Sequence, residues 1–282
     1  MLQFELLDET LDLNKTSYCH LSIQASLDGF LFAILDTERG KYTGIRRYRF
    51  TGSPDQDRQY EEIRNLMESD PFLQQAYQGV SCIVVESRST MLPAALFDNE
   101  HLKLYFEFNH VLNDLDELHY NYLRPADAYL VFPVYSELSN LLLKRWVNIR
   151  FYHQATALAE LLLSPDTSRG ELVAVNFNPG HFDILVVNQG KLQYQNNFNY
   201  RSPEDALYFI LFVYDKLGLQ QESTPLLLSG ELDKFSGQAA GLKGFFRKLA
   251  FQPAPSGFQY PASFQKIQEH TLLNLLRICR CE

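Results

Sequence analysis

Residues 21–50 read LSIQASLDGFLFAILDTERGKYTGIRRYRF, and residues 171–200 read ELVAVNFNPGHFDILVVNQGKLQYQNNFNY. Set over one another at an offset of 150 residues, the two stretches share punctuation more than letters. In the first, Leu21 to Ala25 and Phe30 to Leu35 are apolar runs of strand length, with Asp28-Gly29 as a hairpin signal between them. Glu38-Arg39-Gly40-Lys41 then turns the chain into a third strand ending at Tyr48-Arg49-Phe50. In the second, Leu172 to Phe177 and Phe182 to Val187 flank the turn Asn178-Pro179-Gly180, and Asn188-Gln189-Gly190-Lys191 leads into a strand ending at Phe198-Asn199-Tyr200. Both units continue alike. Ser53-Pro54-Asp55 opens a charged helix to about Met67, then the strand Val80 to Val85; Ser202-Pro203-Glu204 opens a helix to about Leu217, then the strand Pro225 to Leu228. A serine cap, a proline at the first helical position and an acid near the positive helix end are a sound helix start in both places. The result is an internal repeat of hairpin, hairpin, helix and strand.

Between the repeats the pattern is less regular. His101 to Phe108 alternates like a strand, with Glu117 to Leu123 as its expected partner, and Ala128 to Phe132 reads as a buried strand. Ser136 to Trp146 is an amphipathic helix, Ile149 to Tyr152 a short strand and Thr156 to Leu163 a helix. Pro165 to Gly170, dense in turn formers and charge, is the expected boundary between a first unit at 1–168 and a second at 169–263. After a Pro- and Gly-bearing loop from Gln252 to Pro261, a closing helix from Phe264 to Ile278 is expected, within a segment (264–282) that returns to the first unit. Helices alternating with strands imply an α/β fold, and the leading hairpins imply mixed sheets.

Composition narrows the function classes. With 282 residues, 46% hydrophobic and 21% charged, the chain is an ordinary globular protein able to bury its own core. A net charge of -9 excludes binding nucleic acid through broad phosphate neutralisation. The start, Met-Leu-Gln-Phe-Glu-Leu-Leu-Asp-Glu, has no basic region or apolar core, and the longest apolar run, Ala206 to Tyr214, is too short to span a bilayer; a cytoplasmic protein with no integral membrane segment is expected. Cys279-Arg-Cys281 lacks the second cysteine pair or histidines of a zinc site, and the seven histidines show no ligand spacing.

The chain resembles the superfamily of actin, the sugar kinases and the heat-shock chaperone ATPases, particularly its actin-like cell-division and type IV pilus-assembly members. Ala128 to Val134 with the next helix resembles the family's lead-in to its second phosphate loop. Ile149 to Leu163 matches the following strand and helix, Leu172 to Val187 the phosphate hairpin, and Leu226-Leu227-Leu228-Ser229-Gly230-Glu231 the turn that faces the adenosine. It is also similar to an uncharacterised bacterial family with a degenerate form of this fold. The resemblance implies two similar subdomains of mixed sheet flanked by helices, in the ribonuclease H-like, actin-like ATPase arrangement.

It also implies a site, and the residues there depart from the pattern. Phosphate hairpins need glycines for close backbone approach and a carboxylate to position metal or water. In the first hairpin the family's acid falls near Gln24, its glycine near Ser26 and its lysine-like group near Leu31; in the second the acid falls at Asn176 and the first glycine at Asn178, leaving Gly180 and Asp183. Both acidic positions are amides, which carry no charge to hold magnesium or act as a base.

Asp28 reads as a displaced acid or as a plain hairpin residue, and Asn178-Pro179-Gly180-His181 as a phosphate loop or as a turn with an exposed imidazole. Asp183 reads as a metal-associated group or an outward strand residue, and Ser229-Gly230-Glu231 as a relic of nucleotide contact or a strand-ending turn. The acids Glu107, Asp114, Asp116 and Glu117 read as a solvated connection, and Leu242 to Leu249, with Lys243, Arg247 and Lys248, as a basic amphipathic helix. The favoured reading is a non-catalytic module that binds another protein and needs no cofactor; a divergent ATPase or kinase using Asp28, Asp183 and Gly230 with ATP and magnesium is the alternative.

Overall fold

The central strands of the first sheet are buried on both faces, as their near-continuous apolar runs require. The computed structural model describes residues 1–52, 55–164 and 170–281. Strands β1 (Leu2–Leu7), β2 (Cys19–Ser26), β3 (Gly29–Asp36) and β4 (Lys41–Arg49) are followed by α1 (Gln56–Ser69) and β5 (Gly79–Val84). Next come β6 (Thr90–Pro93), α2 (Leu102–Glu107), β7 (Asp116–Leu123), β8 (Ala128–Tyr135), α3 (Ser136–Arg145), β9 (Arg150–His153) and α4 (Gln154–Leu162). The second series is β10 (Leu172–Asn178), β11 (His181–Asn188), β12 (Lys191–Asn199), α5 (Pro203–Lys216), β13 (Leu226–Gly230), α6 (Gly237–Phe245), β14 (Leu249–Phe251) and α7 (Leu273–Arg277). No helix among the described residues is long and apolar enough to cross a membrane.

The strands form a six-stranded sheet ordered β1-β4-β3-β2-β5-β9, a five-stranded sheet ordered β12-β11-β10-β13-β14, and a three-stranded sheet ordered β6-β8-β7. The two large sheets agree in order and sense. In each, two antiparallel hairpins lead to parallel pairs, β2 with β5 and β5 with β9, or β10 with β13 and β13 with β14. Each has a register irregularity in its outer hairpin, between Ile34 and Leu35 or between Val186 and Val187. Gly40 and Gly190 both take the left-handed conformation that closes that hairpin, at φ 62° and 72°.

One face of each large sheet is a conventional core. Leu21, Ile23, Phe30, Phe32 and Ile34 pack on α1 and α3, while Val175, Phe177, Phe182 and Ile184 pack on α5 and α6. The opposite face of the second sheet lays Leu172, Ala174, Leu185 and Val187 against α4. The opposite face of the first carries Leu31, Ala33 and Leu35 onto Leu272, Leu275 and Leu276 of the C-terminal segment, where the Tyr42 hydroxyl donates to Leu276 O at 2.6 Å.

Several local expectations are corrected. Residues 101–108 form a turn and α2, not a strand. Leu102, Tyr105 and Phe106 are helically spaced, and the helix seats Phe106 against Val131 and Leu92. β7 therefore pairs with β8. Helix α1 is capped by Asp55, which accepts from Arg58 N at 2.9 Å, whereas α5 has the expected Ser202 capping box with Pro203 at its first position. Ser53, Pro54 and, apart from Gly170, the expected boundary at Pro165 to Gly170 lie outside the described residues. The closing helix is broken into short 3-10 turns around α7, because Ile267 is extended and the Gln268 and Glu269 side chains accept from Lys234 N and Ala254 N. The basic helix, expected to run to Leu249, stops at Phe245, and Leu249 opens β14 instead. Asp116 is not solvated: its buried carboxylate pairs with Arg88 at 2.8 Å. Cys279 and Cys281 are free thiols, with burial raising that of Cys281 to about 12.

Leu276 is fully buried under the six-stranded sheet. Leu276→Ala is expected to lower unfolding free energy by about 2–5 kcal/mol through lost burial and a residual cavity, measured by urea denaturation.

Candidate functional site

Strand alternation that makes the α4-facing side of β10 and β11 apolar at its base makes it polar at its hairpin end. Asn176 is paired with Asp183 and with Ser229, Asn178 with His181, and Asp183 with Asn197, so these six side chains share one face. Asn176, Asn178, His181, Asp183 and Ser229 are all buried. A buried carboxylate needs donors. Asp183 has three, all uncharged amides: Gln154 Nε2 at 3.2 Å, Asn178 Nδ2 at 3.2 Å and Asn197 Nδ2 at 3.1 Å.

Gln154 begins α4 and extends this network. Its Nε2 also donates to Glu86 O at 2.7 Å, and its Oε1 accepts from Glu86 N at 3.1 Å. Beside it, His153 Nδ1 accepts from Ala155 N at 3.2 Å, which leaves the proton on Nε2 to be donated to Glu86 O at 2.8 Å. His153 N and the Thr156 hydroxyl both donate to Asn121 Oδ1 of β7. All three sheets therefore meet at the start of α4.

The first sheet closes the other side. Its hairpin turn places Ser26 so that its hydroxyl donates to Asp28 Oδ1 at 2.7 Å. Arg47 and Arg49 stand opposite Leu31 and Gly29 on β4, and both reach Glu231 just past β13, Arg49 Nη2 at 2.9 Å from Glu231 Oε2. The space bounded by Gln24, Ser26, Asp28, Arg47, Arg49 and Glu231 is reduced to about 10 Å³. A cavity of about 230 Å³ remains on the other side of the turns, lined by Ser26, Asp28, Glu86, Tyr135, Pro179 and His181. Glu86 is paired there with Arg88 Nη2 at 2.8 Å.

The structure thus gathers the residues singled out from sequence into two groups: Gln24, Ser26 and Asp28 on the first hairpin, and Asn176, Asn178, Gly180, Asp183, Ser229 and Gly230 on the second sheet. Asp183 is fully buried, not outward-facing, and His181 is buried, not an exposed turn imidazole. Among the described residues, His181 Nε2 and Asn176 Nδ2 have no hydrogen-bond partner. Gly230 lies at φ 80°, where a Cβ would stand 2.1 Å from Phe177 O, so its own chain requires glycine there. Ser229 Oγ donates to Asn176 Oδ1 at 3.1 Å. Sequence reading missed Gln154, Glu86, Asn197, Arg47 and Arg49, each an unremarkable polar residue with no motif around it, and it singled out Glu231 in the Ser229-Gly230-Glu231 turn without its arginine partners.

Comparison with known proteins agrees with this geometry. The family described as "Protein of unknown function (DUF3822)" matches residues 8–249. No curated protein matches. A Bacteroides thetaiotaomicron protein with an actin-like ATPase fold and unknown function superposes with a TM-score of 0.77 at 24% identity, covering 86% of this chain and 94% of that one. A chain of the PilM-PilN type IV pilus biogenesis complex gives 0.58 at 10% identity, covering 93% and 98%. The ethanolamine utilization protein EutJ from Carboxydothermus hydrogenoformans gives 0.53 at 10%, covering 98% and 93%. The fold is that of the actin-like ATPases.

Two outcomes follow from this packing. Gly230→Ala is expected to lower unfolding free energy by about 1–3 kcal/mol or more in the absence of any nucleotide, by urea denaturation. Burial also lowers the pKa of His153, and burial with the Arg150 charge takes His20 from 6.5 to about 4. Both are neutral in the fold and bind a proton more readily once unfolded. Stability complete above about pH 6.5 should therefore fall at lower pH, for His20 by up to about 1.4 kcal/mol per pH unit down to about 4, with His153 acting in the same direction; urea midpoints across that range check this.

Proposed function

We propose, from the premise that the chain belongs to the DUF3822 family, that its actin-like fold works as a non-catalytic module that binds another protein. The observation that carries this reading is the state of the carboxylates around the two hairpins. Asp28 accepts from Ser26, Glu86 is paired with Arg88, Asp183 is held by three amides, and Glu231 is paired with Arg47 and Arg49. A metal–triphosphate needs acids free to hold the ion or orient water. At Gln24 and Asn176 uncharged amides stand in their place.

Matched topology in the two large sheets supports an origin by internal duplication, with residues 1–168 and the returning 264–282 segment as one unit and 169–263 as the other. In this reading duplication preserved the scaffold while the carboxylates around the remaining cavity of about 230 Å³ became engaged in the protein's own hydrogen bonds and ion pairs. One fold neighbour comes from the PilM-PilN type IV pilus biogenesis complex, and a protein partner in the cytoplasm is the corresponding role here.

Isothermal titration with ATP and magnesium tests whether the space between the hairpins takes nucleotide. We expect no saturable heat up to millimolar nucleotide and no phosphate release; saturable binding with turnover overturns the non-catalytic reading.

A further inference from the structure

The segment around α6 concentrates positive charge that the rest of this acidic chain leaves unanswered. Lys243, Arg247 and Lys248 are exposed, and the structure adds Lys234 from the preceding loop. Lys234 Nζ and Lys243 Nζ lie 5.4 Å and 5.9 Å from the centre of the Phe251 ring. Among the described residues, none of the four has a carboxylate within the 4.0 Å of an ion pair. They sit in a chain of net charge -9.

These cations surround an unpaired sheet edge. β14 is the terminal strand of the five-stranded sheet. Leu226 N donates to Lys248 O at 2.9 Å and Gln252 N to Leu228 O at 2.9 Å, so the ladder to β13 uses alternate residues of this segment. Strand geometry then directs the peptide groups of Leu249 and Phe251 away from β13. Such an edge is a template for another extended chain. Phe245 at the end of α6 and Phe235 before the helix are 51% and 90% exposed.

We infer that the β14 edge docks an extended, acidic peptide segment of a partner protein. The peptide's backbone pairs with Leu249 and Phe251, while its carboxylates meet Lys234, Lys243, Arg247 and Lys248. An anionic membrane fits less well. Leu242 and, just past the helix, Phe246 are buried in the core, which leaves Phe245 as the one large apolar side chain that α6 exposes, and lipid offers no peptide groups to the strand. The inference rests on the interaction reading only for the existence of a partner; it is independent of whether the hairpin cleft takes nucleotide.

The test uses the full chain and a labelled peptide alternating glutamate and valine, followed by fluorescence anisotropy. Binding should weaken at least about tenfold for the surface variant Lys243→Glu/Arg247→Glu/Lys248→Glu, for a glutamine–valine peptide, and on raising salt well above physiological strength. Hydrogen exchange supplies a readout that charge attraction alone would not move: the Leu249 and Phe251 amides should slow on adding peptide. Unchanged affinity in the charge-reversed variant, unaltered exchange at these amides, or binding to anionic lipid vesicles without binding to the peptide would each overturn the inference. In those cases the cations only guard an exposed edge.

Discussion

A carboxylate taken out of water without a cation survives only if the surrounding chain supplies donors, and Asp183 imposes that condition on everything near it. Its donors come from α4, β10 and β12. Gln154 shares its amide between Asp183 and the Glu86 backbone, while neighbouring His153 ties Glu86 and Asn121 to the same helix start. One polar seam thus locks the start of α4 to all three sheets. Asn178 serves one carboxylate oxygen while Gln154 and Asn197 share the other, which couples positions far apart in sequence.

The first hairpin completes the closure by a different device. Arg47 and Arg49 share a β4 face, and Glu231 follows a left-handed glycine that presses β13 against β10. Two guanidinium groups therefore converge on one carboxylate across the sheets. The space beside Gln24 and Ser26 is thereby reduced to about 10 Å³, while a cavity of about 230 Å³ lined by both turns stays open. Among the described residues, His181 Nε2 and Asn176 Nδ2 at the polar end of the second sheet are left without a hydrogen-bond partner.

Charge elsewhere is distributed with similar economy. Most arginines of the first sheet are consumed by internal pairs, Arg46 with Glu5 and Asp70, Arg47 and Arg49 with Glu231. The cations around β14 are not, although the chain as a whole is acidic. An edge strand ringed by unpaired cations is chemically distinct from the other faces of the fold and lies on the sheet of the buried carboxylate.

The sequence by itself determined the paired sheets. Hairpin turns, strand alternation and the Ser202-Pro203 helix start act over a few residues, so periodicity and turn chemistry are enough to reveal them, twice in the same register. It also showed that amides occupy the two expected acidic positions, since residue identity needs no coordinates. Only the tertiary structure decided that 101–108 is helical, because Phe106 finds its pocket on a strand it does not adjoin in sequence. Only the tertiary structure buried Asp183, brought Arg47 to Glu231 and added Lys234 to the cations at β14. Each of these depends on which faces meet after folding, and local periodicity carries no information about the distant surface a side chain will oppose.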